Sequence, residues 1–475
     1  MRQNLVFFVL LGLFGVLGIS LVTRDRKPHS VALPAPSASV APAASGSAAA
    51  STAPAPSGSA ATVAAPAGLD RPLQVSGAAW ETLAPIILAN DGLEPKKDSD
   101  AAKAGLEVSV KVARDDEALQ AALARGGGDE AGADLVVVPL ASLLGSYQKL
   151  QALRPVAIYA SAWSRGREVL SGKQPLDKLP PAGEITLALG SDPASSSFAL
   201  FALDLAGVPP ARVRPAERGD AKIHAHALTR AELEPKDQKD VLLSTSEATR
   251  FAPYVLVCSA ALVDKHPGEL SKFLSAWLDG VKRLTSDPTA SARRISTLEG
   301  APEPIALLGR LSELAPIGLA ENAELFGLSG RGAVSLDSLL SRMWRLGREA
   351  KLVNVAPPER SPLAPGLVAQ LVRADPARAK DAAAPSPAKP KPGARPLLVV
   401  RRPAPLDADA VEAELGFVAG VFQRSPIRVS AADKKLGEAL AKRSAERFAL
   451  SDGRLTTGAS PGRAGEVVIE VLPIP

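Results

Sequence analysis

The chain has 475 residues, a formal charge of +5 and a single cysteine. That length suffices for two or three domains with cores of their own. One thiol excludes an intramolecular disulfide and a cysteine-based metal site. The basic residues are scattered without interleaved aromatics, so a nucleic-acid-binding face is not expected.

The N-terminus reads MRQNLVFFVLLGLFGVLGISLVTRDRK, with about 18 apolar or small residues from Leu5 to Val22. No A-x-A cleavage site adjoins this run and no lipidation cysteine follows it. Residues 1–27 are therefore expected to be an uncleaved transmembrane signal anchor, with a cleaved signal as the alternative. Residues 28–70 are almost entirely Ala, Pro, Ser, Gly and Val, a composition that cannot bury enough apolar surface to fold, and read as a disordered linker.

From Arg71 to Val355 strand and helix signals alternate. LQVSG is followed by an apolar helix expected to begin at Pro85. LEVSVKVA is an alternating strand, DDEALQAALARG an acid-capped helix and ADLVVVPL a continuous buried strand. VAIYAS, EITLALG and YVLVCSA are further strands, and SSSFALFALDLAG is a helix with a glycine stop. Such alternation implies an α/β domain with largely parallel sheets, whose ligands sit at the carboxyl ends of strands. In HPGELSKFLSAWLDGVKRL, Leu270, Phe273, Leu274, Trp277, Leu278, Val281 and Leu284 recur at three- and four-residue spacing, so Trp277 belongs to a core stripe. Cys258, inside YVLVCSAALV, is expected to be a buried structural thiol. A second Pro/Ala-rich linker is assigned to 356–396, and a small domain to 397–475.

Catalytic signatures are lacking. His224 and His226 form H-A-H on one side of a strand, but without a carboxylate pattern a solvated strand face is the better reading. No nucleophile elbow, phosphate loop, H-E-x-x-H or dinucleotide fingerprint stands where it should. The chain reads as a non-enzyme without cofactor or metal. The polar residues of interest lie at strand exits: Trp80, then Trp163, Ser164 and Arg165, then Ser195, Ser196 and Ser197, then Ser244 and Thr245. Free N–H groups, hydroxyls and a positive helix end make the serine cluster a ready anion site, although one serine could simply cap the helix.

These residues carry a resemblance. In W-x-x-x-A-P-x-x-x-A-N-x-G-L-E-P, the positions of Trp80, Ala84, Pro85, Ala89, Asn90, Gly92, Leu93, Glu94 and Pro95 fit one by one. A D-W-S-R-G turn is matched from Trp163 to Gly166, with Ala162 in place of the acid. The large domain resembles the type II periplasmic solute-binding proteins of the nitrate, sulfonate and thiamine-precursor class, and within it the phosphate ABC-transporter substrate-binding/OmpA fusion branch. The resemblance implies a two-lobed α/β periplasmic-binding-protein fold, lobe 1 being 71–158 and 253–355 and lobe 2 being 159–252. It also implies a small solute held between the lobes and delivered to an ABC permease with its ATPase, with Trp80, Trp163, Ser164 and Arg165 lining the cleft and Ser195, Ser196 and Ser197 on the second lobe; Ser244 and Thr245 are added as ligand-binding candidates from their strand-exit position. The solute expected from these residues is anionic. Between VPPARVRP and VLLSTS the family has a further helix and strand, where this chain has only the short polar RGDAKIHAHALTRAELEPKDQKD.

The C-terminal segment is similar to an α+β OmpA-like domain in degenerate form. That likeness implies Asp433 and Arg443 as its peptidoglycan contacts. The expectation as a whole is an inner-membrane-anchored, periplasmic, substrate-binding component of an ABC-type transporter. The alternative is an envelope scaffold or sensor that kept the fold without transport, with peptidoglycan as a further partner.

Overall fold

A computed structural model describes residues 69–475 apart from 181, 218–219, 221, 331, 381–388, 391–392, 460–464 and 475. The expected anchor and nearly all of the first linker lie outside the described residues. No helix among the described residues is long and apolar enough to cross a membrane.

The first lobe opens with β1 (Leu73–Gly77), α1 (Trp80–Asn90), β2 (Val108–Val112), α2 (Asp116–Arg125), β3 (Leu135–Pro139), α3 (Leu140–Leu150) and β4 (Pro155–Ser164). The chain then crosses into a second lobe of β5 (Glu168–Ser171), β6 (Ile185–Ala188), α4 (Pro193–Leu205), β7 (Val213–Ala216), β8 (Ala225–Thr229) and β9 (Val241–Ser244). It returns as β10 (Pro253–Ser259), α5 (Pro267–Ser286), β11 (Leu314–Pro316), α6 (Leu319–Leu325), α7 (Leu336–Glu349) and α8 (Gly366–Ala374).

The two sheets repeat one plan. Lobe 1 runs β2-β1-β3-β10-β4-β11 and lobe 2 runs β7-β6-β8-β5-β9. In each, three parallel strands are followed by an antiparallel strand that has just arrived from the other lobe. The sheets are therefore mixed rather than largely parallel, because β10 and β5 enter against the direction of their neighbours. The first crossing falls at Arg165, later than the expected 159, since β4 stays paired with β10 through Trp163.

Helix α1 starts at Trp80 rather than at Pro85, which lies inside it. Proline has no N–H, so the helix gives up the bond to the Glu81 carbonyl there. Burial of all eleven residues compensates, against α5 above all. The α5 stripe is buried as the spacing predicts. Cys258 is buried among lobe 1 apolar residues, which pushes its thiol well above the usual range.

The short polar segment of lobe 2 supplies β8, which sits inside the sheet between β6 and β5. Ala225 and Ala227 point into the core while His224 and His226 alternate away from it. Nδ1 of His224 accepts the Thr186 N–H at 3.0 Å.

Residues expected to form the second linker are partly folded onto lobe 1. The Pro362 carbonyl accepts from Ala157 N–H at 2.9 Å, and α8 buries Leu367 and Val368. The C-terminal domain comprises β12 (Leu398–Arg402), α9 (Ala408–Val421), β13 (Ile427–Ala431), α10 (Lys434–Arg447), β14 (Leu455–Ala459) and β15 (Val467–Val471). Its sheet order is β12-β15-β13-β14.

This domain does not stand apart. One apolar cluster joins lobe 2, one face of lobe 1, α7 and the C-terminal domain. The Phe201 and Phe251 rings stack at 4.1 Å, and Phe417 meets Phe201 edge-on at 6.0 Å. Helix α7, expected in lobe 1, packs on α4 of lobe 2 and α3 of lobe 1. The other face of lobe 1 forms a second cluster with α1, α5 and α8.

Candidate functional site

The lobes meet where β4 passes into β5 and β9 into β10. Buried hydroxyls lace these two crossings together. Thr245 Oγ1 accepts the Gly166 N–H at 2.9 Å, and its O–H donates to Glu168 Oε2 at 2.9 Å. Ser164 Oγ also donates to Glu168 Oε2. Ser164 N–H donates to the Ala252 carbonyl at 2.9 Å and Thr245 N–H to that of Glu168 at 3.1 Å.

Glu168 is wholly buried, and its Oε1 has no protein partner among the described residues. Burial pushes its carboxyl up to about 7, against the opposing pull of the Ser164 hydroxyl. The folded protein thus retains a proton there that the unfolded chain releases near its ordinary value of 4.5. Stability is expected to fall as pH rises from 4.5 to about 7 and to level off above that. The stability gap between Glu168→Gln and wild type should widen by on the order of 3 kcal/mol across that window. Urea unfolding at pH 4.5 and 7.5 reads this, and an unchanged gap would refute a buried proton at Glu168.

Arg167 follows the first crossing and lies between charged groups of both lobes. Its Nη1 donates to Glu81 Oε1 on the first turn of α1 at 3.2 Å, and its guanidinium lies 6.0 Å from the Tyr254 ring centre. Tyr254 and the carboxylates Glu81, Glu168 and Asp192 hold it protonated against partial burial. On lobe 2, Asp192 caps α4, its Oδ1 accepting the Ala194 N–H at 3.0 Å. Burial lifts the Asp192 carboxyl above its usual range; Ala194 N–H and Arg167 oppose this, and the charges of Asp116 and Glu232 add to it. Arg167 is thus a half-buried cation among acidic groups drawn from both lobes and the first crossing.

The residues expected from sequence are distributed unevenly about this centre. Ser164 and Thr245 are buried in the hydrogen-bonded clasp at the two crossings. Ser244 is engaged locally: its N–H and its hydroxyl reach Glu247 Oε2 at 2.9 and 2.6 Å, in a turn that begins no helix. Ser195 is buried, and Ser196 and Ser197 are half-buried behind Asp192. The helix start expected to take an anion thus already carries a carboxylate, and the cap is Asp192 rather than a serine.

Arg165 is exposed, and its backbone N–H donates to the Glu313 carbonyl at 2.7 Å. Trp80 is 9% exposed and belongs to the lobe 1 core, so most of its ring packs there instead of forming a wall. Trp163 is 4% exposed, and its indole donates to Glu321 Oε1 at 2.9 Å.

Sequence reasoning missed Arg167, Glu81, Glu168 and Asp192. The available signals were a second arginine in SRGRE and an acid directly after Trp80.

Asp433 and Arg443 do not converge. Asp433 caps α10 by accepting the Lys435 N–H at 2.9 Å. Arg443 pairs with Glu412 of α9 at 2.5 Å. Ten helical positions separate them by about 15 Å of rise.

Two larger hollows border neither Arg167 nor the crossings. One of about 540 Å³ lies between α7 and residues 357–362, and one of about 710 Å³ beside the start of β1. No group of three or more His, Cys, Asp or Glu side chains suited to a metal occurs among the described residues.

No protein-family model and no curated protein matches the chain. Solved structures are similar to it. The periplasmic aliphatic sulphonate binding protein SsuA from Escherichia coli is 13% identical with a TM-score of 0.42, covering 60% of this chain and 88% of its own. The alkanesulfonate-binding protein SsuA from Xanthomonas axonopodis pv. citri, bound to MOPS, is 11% identical with a TM-score of 0.41, covering 63% and 99%. A Candida albicans protein described as having the generic periplasmic binding protein structural fold is 8% identical with a TM-score of 0.38, covering 64% and 95%.

Proposed function

We propose that the chain is an envelope solute-binding protein that holds a small zwitterionic solute between its lobes. In the proposed complex the anionic end pairs with Arg167 and the cationic end with Asp192. The observation that carries this is Arg167: among the described residues its guanidinium makes one hydrogen bond, to Glu81, beside the Tyr254 ring, and the cation stands at the lobe crossing. The carboxylates around it weigh against the purely anionic solute expected from the strand-exit serines, since a second anion would meet Asp192 at the α4 start. Delivery to an ABC permease and ATPase, and tethering to the inner membrane by residues 1–27, complete the proposal.

Calorimetric titration of the full chain with amino acids and aminosulfonates tests it, with nitrate, phosphate, alkanesulfonates and alkylamines as single-charge controls. Heat is expected with the zwitterions. Arg167→Ala should weaken binding at least 30-fold, the equivalent of about 2 kcal/mol. Arg165→Ala should stay within about twofold of wild type, because that side chain is exposed. Binding of simple anions alone would restore the anionic reading, and silence with every solute in a folded protein would refute solute binding.

A second reading is favoured by the shared core. Helix α3 packs on α4, and α7 and the C-terminal domain cover the same cluster, so opening the lobes would expose it. Under that reading the chain is a rigid envelope scaffold. Small-angle scattering separates the two, because a hinge-closing binder shrinks with ligand and a scaffold does not.

A further inference from the structure

We propose that one water molecule is built into lobe 1 as a bridge between the Trp277 indole N–H and the Glu81 carboxylate. A cavity of about 20 Å³ lies between α1, β4, β10 and α5, with Glu81, Thr82, Ser161, Tyr254 and Trp277 among its walls. Trp277 is 0% exposed, and its Nε1 has no acceptor among the described residues. Glu81 is 4% exposed; its Oε1 takes Arg167 and its Oε2 has no donor among the described residues. Two other buried indoles are paired: Trp163 with Glu321, and Trp344 with the Val355 carbonyl at 2.8 Å. A buried donor and a buried acceptor, both unpaired among the described residues and both on side chains that line one small cavity, is the arrangement that internal waters satisfy.

Size and charge select the occupant. A space of about 20 Å³ exceeds the roughly 10–15 Å³ a single water needs and is far below the range of organic-ligand pockets. An ammonium or metal cation would face the indole N–H, which can only donate. An anion would face the Glu81 carboxylate. Water accepts from the first and donates to the second. The Thr82 and Ser161 hydroxyls already donate to the carbonyls of Ala79 and Tyr254, at 2.7 and 3.2 Å.

The water holds Oε2 in place while Oε1 stays on Arg167, which makes Trp277 a positioning residue for the charged centre. Its presence does not depend on what the cleft binds. A crystal structure at atomic resolution should show density within hydrogen-bonding distance of both atoms. In the full chain with labelled indoles, the Trp277 N–H should give a water cross-peak that Trp163 and Trp344 lack, and Trp277→Phe should remove it. A dry cavity, a direct Trp277–Glu81 bond, or an intact Trp277 signal without the water cross-peak would overturn the proposal. If Trp277→Phe does not fold, Glu81→Leu gives the second reading, since loss of the acceptor should also abolish the cross-peak.

Discussion

A chain ending before Leu397 is expected to lose cooperative unfolding of lobe 2. The C-terminal domain supplies part of the lobe's cover. Phe417 lies against Phe201, and the Phe417 ring lies 4.3 Å from the Arg342 guanidinium. Arg342 pairs with Glu414 at 3.3 Å, and the Val421 carbonyl accepts the Arg250 N–H at 3.1 Å, directly on the second crossing. Gly420 backs onto Ala333 and Val334 so closely that a Cβ would come within 2.6 Å of Val334 Cγ2. Uncovering three or four apolar side chains costs roughly 1.5–3 kcal/mol each, a large share of the about 5–15 kcal/mol that keeps a domain folded. Urea unfolding of the truncated chain should show a lower midpoint and a broadened transition. Phe417→Ala in the full chain is the gentler version, expected to cost about 3 kcal/mol. If both variants unfold like wild type, the domain is an independent module on a spacer and the rigid-scaffold reading falls with it.

Gly280→Ala should be nearly as damaging, for a reason confined to lobe 1. A Cβ on Gly280 would lie 1.8 Å from the Pro85 carbonyl oxygen and 2.5 Å from its carbon. Both are backbone atoms within a helix, so no side chain can swing aside. Helix α1 must back away from α5 along a fully buried interface, at an expected cost of about 3 kcal/mol. Because α1 carries Glu81, the Arg167 contact should loosen too, and any solute affinity should drop with stability. Gly145→Ala on α3 is the control: its Cβ would meet nothing within 4 Å, so a gain of up to about 1 kcal/mol is expected from helix propensity. A Gly280→Ala protein as stable as wild type would show that the two helices are not in backbone contact.

Both substitutions fall in regions that sequence reading located unequally well. LQVSG, LEVSVKVA, ADLVVVPL, VAIYAS, EITLALG and YVLVCSA all became strands. Each is an apolar or alternating run long enough for periodicity to register. The α5 stripe was legible for the same reason. Strands β5, β7 and β11 were not, being four, four and three residues long. β8 was hidden by its histidines, which lie on the face turned from the core. α1 was entered five residues late because Pro85 looked like a first-turn proline, and only the packing of α5 shows why an interior proline is tolerated.

The candidate site shows the same division. Local pattern identified the exit from β1 at Trp80 and the helix start near Ser195, because composition and turn residues are properties of short segments, whereas Trp163, read as a strand exit, lies inside β4. It could not choose between Arg165 and Arg167, two positions apart in one turn. That choice follows from Glu81, 86 residues earlier, and from Tyr254 and Asp192 on other elements. Likewise the C-terminal boundary was visible in the Pro/Ala-rich run, yet the docking of that domain depends on Phe201, Arg250 and Phe417 meeting in space. By itself the sequence determined the alternation of strands and helices, the buried stripe and the absence of catalytic signatures. Which charges face one another, and whether the lobes share a core with the last domain, were decided only by the tertiary structure, since burial and pairing are settled by partners distant along the chain.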